Sequence, residues 1–164
     1  MGPRMSSSPG ELARGVGRGV AYRTAHTRAS RQAARIAAGD RPIVVGPWLS
    51  EVGVELLFWI PFLNWFRAEH GVDRQRVIAI SRGGAEPWYR AIAGRYVDVF
   101  DHFEVDETKR WTEQRLNATN TQKQTEVSEA DRRILSAARE AIGTDDYELP
   151  VSYTHLTLPT IYSV

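Results

Sequence analysis

The sequence contains no cysteine. Disulfides and thiolate chemistry are thereby excluded, and a reducing, cytoplasmic compartment is the expectation. It also lacks a run of about 18 apolar residues, the length that a membrane-crossing helix requires. Its longest apolar stretch, Val52 to Phe66, is interrupted by Gly53, Glu55, Pro61 and Asn64. No apolar segment follows the first charges, so no secretory signal is read.

What is present is an ordinary globular composition, 42% hydrophobic and 25% charged, in a chain of 164 residues. That length suffices for one cored domain and is too short for two. The net charge of +1 hides an asymmetry. Residues 1–41 hold eight arginines against Glu11 and Asp40, whereas the remainder holds 13 basic and 18 acidic residues. Residues 1–41 therefore read as a basic extension, flexible or partly helical, that either stays solvated or touches an anionic membrane surface. Within it, Ala29 to Ala38 has the best helical character, with Gly39 as its stop. No nucleic-acid partner is expected.

The body runs from Pro42 to Leu149. Ile43-Val44-Val45-Gly46 and Val77-Ile78-Ala79-Ile80 are short apolar runs of the kind buried on both faces of a parallel sheet. Val97 to Phe100 alternates and reads as a third strand. Between the first two, a helix is expected from Glu51 to His70, with Ser50 as N-cap, Gly71 as stop and a kink or break at Pro61. A second helix opens at Glu86-Pro87 and ends near Gly94. Further helices are expected from Glu107 to Asn117 and from a capping box at Ser128–Asp131 to Gly143. The order is that of an α/β fold with a Rossmann-like parallel sheet and flanking helices.

In such sheets ligands meet the carboxyl ends of the strands. Two loops qualify, Gly46 to Gly53 and Ser81-Arg82-Gly83-Gly84. Glu51 is the acid of the first loop and reads either as a general base or as a helix N-terminal acid that only stabilises its dipole. Trp48 stands beside it as an apolar neighbour. Arg82, with Ser81, Gly83 and Gly84, reads either as an anion site or as a turn whose arginine pairs with an acid such as Glu86. Trp88 either stacks on a sugar face or belongs to the core. The loop is not a P-loop, because no Gly-Lys-Ser/Thr follows. Nor is it a nucleophile elbow, since Ala79 stands where that turn needs glycine. His70 and His102 lack metal or triad partners, Gln122-Lys123-Gln124 reads as a polar linker, and no metal or cofactor is expected.

The stretch Gly46-Pro47-Trp48, Ser50-Glu51-Val52-Gly53-Val54-Glu55-Leu56-Leu57 and Trp59-Ile60-Pro61-Phe62-Leu63 resembles bacterial glycosyltransferase-like proteins of surface-polysaccharide biosynthesis. Ile80 to Gly84, Trp88-Tyr89, Tyr96 to Asp101 and Gln122 to Gln124 extend the resemblance across about Pro42 to Gly143. It implies the N-terminal half of a two-domain (GT-B) enzyme that moves a sugar from a nucleotide-sugar donor to a glycan or lipid-linked acceptor. The half present would bind acceptor, with Glu51 as base and Arg82 meeting donor phosphates or an acidic acceptor. Such a half alone would be inactive. The competing expectation is a non-catalytic module that binds an anionic ligand or a protein partner.

The last residues read differently. Val151 to Val164 carries no acidic or basic side chain. Its first ten residues resemble the translation of a transposase-based sequencing adapter, and Pro150 meets the codon that this frame requires. The resemblance implies that residues 150–164 are foreign to the fold, and that Tyr153 and His155 have no function.

Overall fold

The computed structural model describes residues 30–49, 51–119 and 127–150. Ser50, the 122–124 connector, most of the basic extension, and Tyr153 and His155 lie outside them.

Three strands form a parallel sheet in the order β1 (Ile43–Trp48), β2 (Val77–Ser81), β3 (Arg95–Asp98). Ile43 pairs with Val77 and Ile78 with Arg95. Side chains alternate across a strand, so the apolar runs of β1 and β2 bury both faces. Ile43, Val45, Val77 and Ala79 join one core cluster, whereas Val44, Ile78, Ile80 and Val97 join the other. The chain is thus an α/β protein with helices on both sides of the sheet.

On the first face lie α1 (residues 30–38), α3 (Ile60–His70) and α4 (Glu86–Tyr89). α1 packs Ala33 and Ile36 into the core, so the packed body begins upstream of Pro42. The Arg76 guanidinium fastens its end, donating to the carbonyls of Ala37 at 2.9 Å, Ile36 at 3.2 Å and Arg41 at 3.1 Å. The first two are among the carbonyls a helix C-terminus leaves without an internal partner, and the third lies in the segment that leads from α1 to β1. On the second face, α6 (Glu129–Ala137) and α7 (Arg139–Ile142) bury Ile134, Leu135, Ala138 and Ile142, with Trp111 of α5 (Val105–Thr119) packed alongside. Glu148 forms an isolated parallel bridge with Ile43, bonding the Val44 amide at 2.8 Å on the free side of β1.

Several boundaries differ from the sequence expectation. β3 ends at Asp98, because its side chain accepts from the Phe100 amide and turns Val99–Asp101 into a 3₁₀ helix. α4 is a single turn that does not extend as a helix to Gly94. α5 is longer, and the helix after the Ser128/Asp131 capping box divides at Ala138. Gly71 and Gly143 do end their helices in the left-handed conformation.

The expected Glu51–His70 helix is the largest departure. It runs as α2 (Val52–Val54), a π-helical segment (Glu55–Trp59) and α3. Glu51 is the N-cap and makes no side-chain cap. In the π segment the Ile60 amide bonds the Glu55 carbonyl five residues back. Pro61 follows at the first turn of α3. It has no N–H for an i−4 bond, and the ordinary α-turn ahead of it is lost. The widened turn carries Glu55 and Trp59 inward and Leu56, Leu57 and Phe58 outward.

Candidate functional site

The carboxyl ends of β1 and β2 meet over Glu55. Its carboxylate is fully buried. Ser81 Oγ, at the last residue of β2, donates to Oε1 at 2.6 Å, and the Tyr89 hydroxyl of α4 donates to the same oxygen at 2.7 Å. Oε2 accepts no hydrogen bond from the described residues and faces Arg82 Nε at 3.7 Å. Three consecutive segments of the chain therefore converge on one carboxylate.

Burial raises the Glu55 pKa above the ordinary carboxylate value, opposed by the Ser81 and Tyr89 hydrogen bonds and by the Arg82 charge. Tyr89 is pushed up as well, first by burial and then by the Glu55 charge and hydrogen bond. Its phenol stays protonated and serves only as a donor. Tyr96, raised by burial and by the Asp98 charge, donates to the Arg82 carbonyl at 2.5 Å. The Arg82 backbone and the Glu55 side chain are thus held from two sides.

π-Helical turns are rare and concentrate at functional sites. This one places an acid where an apolar residue is expected, and apolar residues where polar ones are expected. Leu57 is 67% exposed and Phe58 53%, while Glu55 is 0%.

Of the residues singled out in the sequence, Glu51, Arg82, Gly83 and Gly84 follow the carboxyl ends of β1 and β2. Glu51, Gly83 and Gly84 are exposed, and Arg82 is half-buried. Ser81 is not ligand-facing, because its hydroxyl is spent on Glu55 inside the protein. Trp48 is core, stacked on Trp59 with centroids 5.8 Å apart, and its indole N–H points to the Glu51 carbonyl at 3.4 Å. Trp88 is half-buried against the first cluster. Arg82 faces an acid, as one of its two sequence expectations has it, and the acid seen against its Nε is Glu55 at 3.7 Å. Gly83 admits no bulk, since a Cβ there would meet the Phe100 ring at 2.9 Å and the Asp98 carboxylate at 3.4 Å.

Glu55 was missed from sequence because it read as an interruption of an apolar stretch. A lone acid between Val54 and Leu56-Leu57-Phe58 was the available signal. Among the described residues, no group of three or more His, Asp or Glu side chains is placed to hold a metal ion, and no helix is long and apolar enough to cross a membrane. No protein family, no curated protein and no solved structure matches this chain.

Proposed function

We propose that this chain is the acceptor-binding, Rossmann-like part of a glycosyltransferase-like enzyme. The observation that carries the reading is the Glu51/Arg82 edge: an exposed carboxylate follows β1, and an arginine braced by a buried glutamate follows the adjacent parallel strand. Carboxylates and guanidinium groups exchange hydrogen bonds with polyhydroxylated ligands, and an exposed carboxylate is free to take a proton from an acceptor hydroxyl. Glu55 is too deeply buried to touch such a ligand and acts as a positioning residue for Arg82. Donor phosphates would approach Arg82 from a partner domain of the GT-B type.

The test is amide NMR with oligosaccharide acceptors and, separately, a nucleoside diphosphate. Acceptor glycans are expected to move resonances at 51–58 and 82–84, and Glu51→Gln and Arg82→Ala are expected to weaken binding. The nucleotide alone should bind more weakly. Unmoved resonances with every glycan tested would remove the reading. The second reading, a non-catalytic module that binds a protein segment, is favoured by the exposed Leu56-Leu57-Phe58 run.

A further inference from the structure

Among the described residues, every large hydrophobic side chain that is exposed follows the carboxyl end of β1 or β3. Val52, Leu56, Leu57 and Phe58 follow β1, and Phe100 and Val105 follow β3. The strands are parallel, so these ends share one edge of the sheet. The segments that leave it also touch. Thr112 of α5 donates to the Leu49 carbonyl at 3.3 Å, and Phe100 lies against Gly83 in the loop after β2. An apolar concentration of this kind on one edge of a small body marks a contact surface.

The same edge is acidic. Glu51, Glu86, Asp101, Glu104 and Asp106 are exposed in the segments that follow the three strands. In residues 49–58, 82–89 and 99–106 the one Lys or Arg is Arg82, whose Nε faces Glu55. Arginines stand at the other edge, where Arg41, Arg74 and Arg76 precede β1 and β2 and Arg95 opens β3. An acid in the first turn of a helix, such as Glu86 or Asp106, stabilises the helix dipole. That accounts for single acids and leaves the apolar exposure beside them without a cause.

The charge decides what covers the patch. An anionic lipid surface is repelled by such a rim. A second copy meeting this edge with its own edge sets like charges opposite one another. A polypeptide whose apolar side chains are flanked by lysines or arginines matches both features at once.

We propose that the carboxyl edge docks a cationic amphipathic segment of another protein, seated on Leu56, Leu57, Phe58 and Phe100 and paired with Glu51, Glu86 and the acids at 101–106. The inference rests on the second reading above, a module that binds a protein segment, and names the chemistry of that segment. It does not require the transfer reading.

The test uses the full chain and two synthetic peptides of roughly 18 residues, each with leucines at i, i+3, i+4 and i+7 spacing. The remaining positions are lysine in one peptide and glutamate in the other. The chain has a net charge of +1, so the lysine peptide is not drawn to the molecule as a whole. It is expected to move amide resonances at 52–58 and 100–106, and to bind about tenfold or more tightly than the glutamate peptide. Leu57→Ser with Phe58→Ser, both exposed positions, should weaken it about tenfold with an unchanged circular dichroism spectrum. Glu104→Lys with Asp106→Lys, or salt raised to about 0.5 M, should remove most of the preference for lysine. Equal binding of the two peptides overturns the proposal and leaves a module for segments of other chemistry. Binding of neither overturns the second reading with it. Lysine-peptide shifts that survive the Leu57/Phe58 substitutions also overturn the proposal. So do shifts at 52–58 on self-association or with phosphatidylglycerol vesicles, which would assign the surface to a second copy or to a membrane.

Discussion

Tyr89 and Glu55 are 34 residues apart in sequence and 2.7 Å apart in space, the phenol of α4 donating to the carboxylate of the π-helical turn. The bond crosses the carboxyl end of the sheet and is buried at both ends. Tyr89→Phe removes the donor while keeping the ring, so Glu55 retains only the Ser81 hydrogen bond on Oε1. Loss of a buried partner costs about 1–3 kcal/mol. The urea midpoint should fall accordingly, and by clearly less for Tyr96→Phe, whose acceptor is the half-exposed Arg82 backbone. Equal losses would show that the Glu55 network contributes nothing special.

Glu55 also links stability to pH. Its carboxyl is raised by burial above the ordinary value of 4.5. A group with a raised folded-state pKa contributes its stability fully below the unfolded pKa, and the contribution fades as pH climbs through the folded value. Wild type should therefore lose stability relative to Glu55→Gln from about pH 4.5 upward. Urea midpoints of the two proteins, measured from pH 4 to pH 8 and subtracted, give the check. A difference that is flat or grows with pH would contradict the assigned direction.

Two glycines separate steric need from torsional need. Gly46 has a φ of +116°, and a Cβ there would collide with the Ile80 carbonyl oxygen of the neighbouring strand. Gly84 has a φ of +79° with nothing within 4 Å of an added Cβ. Gly84→Ala should cost on the order of 1 kcal/mol through backbone strain alone. Gly46→Ala should add displacement of β1 from β2 and leave little folded protein. Circular dichroism melts of both variants distinguish the cases.

Arg76 is expected to hold α1 on the body. Its planar fork reaches three carbonyls, a geometry that the point-like ammonium of lysine does not reproduce. Arg76→Lys should therefore lose most of what Arg76→Ala loses, roughly 1.5–3 kcal/mol for hydrogen bonds to a charged donor. Faster amide exchange at residues 33–38, with unchanged exchange in β2, is the measurable sign. A lysine variant indistinguishable from wild type would show that charge alone suffices.

Local sequence determined a good deal of this protein. The apolar runs at Ile43 and Val77 are too short for helices and too continuous for a half-exposed sheet, and they became the central parallel strands. Ser128 with Asp131 and the stops at Gly71 and Gly143 are contacts or torsions within a few residues, so they were legible one segment at a time. Pro61 announced a break in the long helix for the same reason. The form of that break was decided elsewhere. Whether the turn before Pro61 widens, and which side chains it turns inward, depends on what waits beneath it. Here Ser81 and Tyr89 arrive from later segments, and they make burial of Glu55 tolerable while Leu57 and Phe58 face out. Arg82 likewise had Glu86 as its nearest acid in sequence, and it meets the more distant Glu55 because parallel pairing brings the ends of β1 and β2 side by side. Hydrogen bonds and burial act through space, and only the folded chain sets those distances.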